Sequence, residues 1–193
     1  MRLASWTCLA LALALIACGS KGSGPRPVAV FDARDLAAPI MVEELCGGLA
    51  KPVVVELPPR SVDLRFNLEL KGVDERDVLD AIVAKDRSFQ YELRDDVTIL
   101  FPSGAEEVAS PFSKVVPSIE AEGGVVGVIQ QLLKEQGLLE STRVASDTAG
   151  SRRPVKLSRR NATVRTLLAD IVAQAHLACR MEPGRITLSV VPE

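Results

Sequence analysis

The side chains able to do chemistry are few in this 193-residue chain. His176 is the one histidine, and general-base or metal work would want a second ligand or an oriented carboxylate beside it. Local sequence places none, so His176 reads as an incidental residue at a helix end. Asp74, Glu75, Asp77 and Asp80 form an acidic cluster, and paired carboxylates can serve as acid and base. Asp77 and Asp80, however, fall on the polar side of a helix whose other side is apolar, which makes them a solvated face. Asn161-Ala162-Thr163 matches the glycosylation sequon but reads better as the approach to a helix cap. The pattern points to no catalytic group, no metal and no cofactor, and the chain is read as non-enzymatic.

The candidate binding residues are basic: Arg152, Arg153, Lys156, Arg159, Arg160 and Arg165. Residues 114–193 hold eleven Lys and Arg against eight Asp and Glu, while residues 19–113 hold eleven against seventeen. The second half is therefore net positive and the first net negative. A basic patch suits anionic lipid, lipopolysaccharide or an acidic protein. The plainer reading is a solvated strand and loop, and attraction between the two halves is a third. With aromatic residues at 4%, stacking surfaces for bases are scarce, and a nucleic-acid partner is not expected.

The N-terminus carries an address. Arg2 and the apolar run of residues 9–16 are too short for a spanning helix of about 20 residues and have the make-up of an export signal. Leu15-Ile16-Ala17-Cys18 resembles the lipobox of bacterial lipoproteins, which implies cleavage before Cys18 and lipidation of its thiol. By the sorting rule of enteric bacteria, Gly19 would direct such a protein to the outer membrane. Residues 19–27 read as a flexible tether rich in Gly, Ser and Pro. Cys8 leaves with the signal, so Cys46 and Cys179 remain; an oxidising compartment would let them pair, and two buried small hydrophobes are the alternative.

The elements that would position these groups follow from periodicity. Residues 62–70 alternate apolar and polar without a break, the mark of a half-buried strand. Gly72 closes it, and Asp74 caps a helix whose first turn carries Glu75 and Asp77, with Val78, Leu79, Ile82 and Val83 as its stripe. Phe89, Tyr91 and Leu93, then Val97, Ile99 and Phe101, form a hairpin around residues 94–96. Upstream, residues 28–31 make a short strand, residues 32–39 a connector, residues 40–49 a short helix and residues 53–55 a β-branched strand. Residues 102–113 read as a linker and residues 144–154 as an exposed loop. Val125 to Leu139 has helical spacing, and Thr163 caps the last helix.

The same outline occurs twice. At an offset of 89, Arg76, Leu79, Ile82, Val83 and Ala84 meet Arg165, Leu168, Ile171, Val172 and Ala173. The first hairpin strand matches at 88, Phe89, Tyr91 and Leu93 lying over Leu177, Cys179 and Met181; Val97, Thr98 and Ile99 meet Ile186, Thr187 and Leu188 at 89. Each copy reads β-α-β-β-α-β-β, giving an α+β fold of two tandem modules with helices packed on small mixed sheets. The expected divisions are 1–18 signal, 19–27 tether, 28–101 first module, 102–113 linker and 114–193 second module.

The repeat resembles the secretin and TonB short N-terminal domain. Val155, Leu157, Asn161, Thr163, Leu167, Leu168 and Ile171 fit its strand-to-helix pattern, followed by Ile186-Thr187-Leu188 of the hairpin; Phe66, Leu68, Gly72, Leu79, Ile82 and Tyr91 do so in the first copy. These are packing positions, so the resemblance implies a fold and a general role, a periplasmic interaction module, and no residue-level site. The expected protein is a lipid-anchored envelope component that binds a protein partner, an accessory of a secretin, pilus or outer-membrane transport system. The alternative is a small-molecule-binding or enzymatic protein with a pocket between the modules.

Overall fold

The computed structural model describes residues 27–49, 51–60, 64–146 and 152–191. Cys18 and the signal lie outside them. The fold is α+β, and each copy has the element order read from the sequence. The first runs β1 (Pro27–Ala37), α1 (Ala38–Leu49), β2 (Val53–Glu56), β3 (Arg65–Asp74), α2 (Glu75–Lys85), β4 (Phe89–Leu93) and β5 (Thr98–Pro102). After a short helix α3 (Gly104–Ala109) and a 3-10 turn at Pro111–Ser113, the second runs β6 (Val115–Gly124), α4 (Val125–Glu135), β7 (Arg143–Ser146), β8 (Pro154–Thr163), α5 (Val164–Ala175), β9 (Leu177–Glu182) and β10 (Arg185–Val190).

The caps are chemically explicit. Asp74 and Asp77 close a reciprocal capping box, each side chain accepting from the other's backbone amide at 3.0 and 3.2 Å, which satisfies two amides that a helix start leaves open. Thr163 Oγ1 accepts from the Thr166 amide at 3.1 Å at the head of α5. α5 ends at His176, whose φ of 52° is left-handed; the exposed His176 side chain therefore sits on a helix-terminating residue.

In each copy the first and third strands pair into an antiparallel ribbon, β1 with β3 and β6 with β8. The remaining strands form one sheet in the order β4-β5-β2-β9-β10-β7. Its middle is the junction of the two copies, where β2 runs parallel to β9 with Val53 opposite Ala178 and Val54 opposite Cys179. The modules are thus not beads on a string; they share a continuous sheet. Its two faces carry separate cores. Val53, Val55, Phe89 and Leu100 pack with Met41, Leu45, Leu79 and Ile82 of α1 and α2. Val54, Cys179, Ile186 and Leu188 pack on the other face with Ile129, Leu132, Leu168 and Val172 of α4 and α5.

Four readings of the sequence are corrected. Residues 32–37 are not a connector: β1 continues to Ala37, paired with β3 across a bulge between Ala33 and Leu36, with Asp35 at φ 52°. Gly72, at φ +61°, lies inside β3, which ends at Asp74. Residues 144–146 are no loop but most of β7, parallel to β10. Residues 102–113, read as the linker, carry α3 and the 3-10 turn. The hairpin offset also changes. Glu92 lies opposite Ile99, and Arg180 opposite Thr187, while Leu100 and Leu188 each face their own copy's helices. Both hairpin strands are therefore displaced by 88, and Ile99 matches Thr187, not Leu188. A one-residue slip would turn the strand inside out. No described helix is long and apolar enough to cross a membrane.

Candidate functional site

Two features could act on another molecule: a buried charge network at the junction of the copies, bordering a cleft, and β4, one of the two edge strands of the shared sheet.

The network begins with Glu56, the last residue of β2. Three valines carry this strand through the centre of the sheet, and Glu56 ends it while still buried. Arg165, in the first turn of α5, reaches across from the second copy and donates from Nε to Glu56 Oε2 at 2.6 Å. Both side chains are less than 10% exposed. Ser110, just after α3, donates from Oγ to Glu56 Oε1. Arg165 also lies over the Phe101 ring at 4.2 Å and places Nη1 3.6 Å from Glu107 of α3. One guanidinium so ties β2, the connecting segment and α5 together. A second cross-copy pair joins Arg94, in the first hairpin's turn, to Asp170 of α5 at 3.2 Å.

Beside Glu56 lies a cleft of about 350 Å³. Its floor includes Leu57 and Phe112, both nearly fully buried. Pro59, Pro102, Pro111 and Pro183 form much of its wall. Glu106 of α3 also lines it, and its Oε2 is buried with no hydrogen-bond partner among the described residues.

Of the basic residues named from the sequence, Arg152, Arg153, Lys156, Arg159 and Arg160 are exposed and one is not. Arg165 is internal, at 6% exposure. Arg159 donates from Nε to Asp170 Oδ2 at 2.7 Å, Arg153 from Nη1 to the Ala175 carbonyl at 2.7 Å, and Lys156 Nζ stands 3.3 Å from Glu122. Arg152 and Arg160 are exposed. Arg153, Lys156 and Arg159 make these contacts while remaining exposed, so Arg165 alone of the six leaves the surface. In the acidic cluster, Glu75 is not surface charge at all: it is buried, bonded to Lys51 Nζ at 2.8 Å and accepting from the Thr98 hydroxyl. Asp80 is exposed and accepts from the Tyr91 hydroxyl at 2.6 Å. Burial first, and then the Asp80 hydrogen bond and charge, push the Tyr91 hydroxyl up to about 12. Cys179 is buried on the face that packs against α4 and α5, whereas the core residues of α1 pack on the opposite face; the Cys46 side chain lies outside the described ones. Among the described residues no cluster of His, Cys, Asp and Glu could hold a metal ion.

The sheet edge was not located by the sequence. At β4, the Arg94 amide bonds the Val97 carbonyl and the Ser103 amide bonds the Ser88 carbonyl, so even-numbered residues turn their polar groups toward β5. By the alternation of an antiparallel ladder, Tyr91 and Leu93 turn theirs outward, where no described strand lies. In the second copy the matching residues are Cys179 and Met181. There the outward row is occupied: Met181 accepts from the Leu57 amide at 2.8 Å as β2 pairs with β9.

The fold and this junction define an α+β protein with helices packed on mixed sheets. Compared with protein-family models, curated proteins and solved structures, the chain matches none.

Proposed function

We propose that the protein is a non-enzymatic interaction module of the bacterial envelope, anchored in the membrane through a lipid on Cys18, that captures an extended segment of a protein partner at β4. The observation that carries this reading is the junction itself. The chain already joins its two halves by laying β2, Val-Val-Val-Glu, parallel along β9, and β4 is the counterpart of β9 with the same edge open among the described residues. Strand addition draws affinity from main-chain hydrogen bonds and specificity from alternate side chains. The segment that fits is a short β-branched strand like β2 itself. The lipobox-like residues 15–18 and Gly19 support an outer-membrane address facing the periplasm, and the resemblance of the repeat to secretin and TonB short N-terminal domains supports an accessory role in such an assembly.

The test is crosslinking in intact envelopes followed by affinity recovery, with Leu93→Pro and Arg159→Glu/Arg160→Glu beside the natural chain. Leu93→Pro removes an outward amide from β4 without removing a bond to β5. One envelope protein should be recovered, with its crosslinked peptide mapping to β4, and lost with Leu93→Pro while the melting curve stays cooperative. A crosslink that maps to β8 and disappears only with the arginine double variant would overturn the strand-addition site.

A further inference from the structure

We propose that the cleft beside Glu56 binds a small ammonium compound with an apolar body, and that Glu106 is its charge partner. This site is separate from the β4 edge and goes beyond the strand-addition reading.

The volume, about 350 Å³, falls within the range of roughly 300–1,000 Å³ typical of small-molecule sites. The lining is built chiefly of carbon, from Leu57, Phe112 and the four prolines. Proline has a fixed φ, so these walls are held in shape before a ligand arrives, which lowers the ordering cost of binding. The polar residues of the lining are three carboxylates, Glu56, Glu106 and Glu182, with Arg60 and the hydroxyl residues Ser110, Ser141 and Thr142. Glu56 already has both oxygens engaged, one by Arg165 and one by Ser110. Glu106 differs: its Oε2 is withdrawn from solvent and has no partner among the described residues. A desolvated carboxylate oxygen without a hydrogen bond is costly, and a ligand that donates to it recovers that cost on binding.

The chemistry then selects among ligands. A neutral apolar molecule fills the cleft but leaves Glu106 unanswered. An anion meets the charge of Glu106, while Glu56 and Glu182 are paired with Arg165 and Arg180, and the exposed Arg60 is the one cationic residue of the lining. A hard metal ion asks for six or more oxygens, which these walls do not supply. An ammonium group on a hydrocarbon body satisfies both the charge and the walls.

The experiment uses the full chain in zwitterionic lipid nanodiscs, with empty nanodiscs as the blank, and ligand-observed NMR titration. The probes are 2-phenylethylammonium, the neutral 2-phenylethanol and the anionic 3-phenylpropanoate. The ammonium should bind about tenfold or more tighter than the alcohol, as expected of a hydrogen bond to a charged group, and the carboxylate should not bind. Glu106→Gln should bring the ammonium down to the alcohol's affinity and leave the alcohol unchanged. Ala109→Trp, from a lining position on the exposed side of α3, should remove both by filling the space. Equal affinity for ammonium and alcohol, a preference that survives Glu106→Gln, binding that survives Ala109→Trp, or no binding of the ammonium would each overturn the proposal.

Discussion

Replacing Arg165 by Met should be among the most damaging single changes available to this protein. Arg165 and Glu56 are both buried and 2.6 Å apart, and removal of the guanidinium leaves the carboxylate in the interior with only the Ser110 hydroxyl as partner. Breaking a buried ion pair in this way costs about 3–5 kcal/mol, and loss of the contact over Phe101 adds roughly 0.5–1 kcal/mol. Set against a total stability of about 5–15 kcal/mol, that is roughly a quarter or more of what holds the chain folded. At about 2–4 °C per kcal/mol for a domain of this size, the melting temperature should fall by about 7–24 °C. The double variant Glu56→Leu/Arg165→Met separates pair energy from charge stranding. With both charges replaced by apolar groups of similar volume, stability should return to near that of the natural chain. Urea unfolding of the natural chain, both single variants and the double variant closes the cycle. The reasoning fails if each single variant costs under about 1 kcal/mol, the signature of an exposed pair, or if the double variant is as unstable as the sum of the singles.

Two further outcomes follow from local geometry. Tyr91 is the only tyrosine, so absorbance near 295 nm in alkali reports it alone. Its folded value, about 12, lies above the unfolded value of about 10, so its contribution to stability is complete below pH 10 and is lost as pH rises through 12; Asp80→Asn should shift the midpoint down, and an unchanged midpoint would remove the hydrogen bond from the account. Gly184 turns the second hairpin at φ +76°, and a Cβ there would stand 3.3 Å from the Ser141 carbonyl oxygen. Gly184→Ala should therefore destabilise by more than about 1 kcal/mol, whereas Gly137→Ala, at φ +69° with nothing within 4 Å of its Cβ, should show the conformational cost alone.

What could be read from the sequence was local. Asp74 and Thr163 announced their helices because a cap is a bond between near neighbours, and the alternation of residues 64–70 announced β3. Residues 32–37, Asp-Ala-Arg-Asp-Leu-Ala, gave no alternation because a bulge interrupts the pairing there. Arg-Val-Ala-Ser of β7 carries no strand signal because a strand at a sheet edge need not be apolar. The fate of Arg165 could not be read from its repeat: Arg76, its counterpart, is exposed. The available signals were weak ones. Arg165 shares a helix stripe with Leu168 and Val172, and Glu56 closes a run of valines; each put a charge in apolar company without saying that the two would meet.

The geometry of the sheet explains why one sequence unit could serve twice. β2 and β5 run together while β4 opposes them; in the second copy β7 and β10 run together while β9 opposes them. Because β9 is parallel to β2, the second copy is inverted end for end relative to the first, and its helices lie on the opposite face. The strand order across the sheet nevertheless keeps the same sense. These three facts together describe a half-turn about the hydrogen-bonding direction of the sheet combined with a shift along it. Such a relation covers the two central strands on both faces, as a parallel pairing requires, and neither module alone covers β2 in this way. That is why β2 is valine at three successive positions while β4, its neighbour's counterpart at the edge, alternates Phe-Gln-Tyr-Glu-Leu. The contrast between these two strands records which one the fold covers on both faces and which one stands at the edge of the sheet.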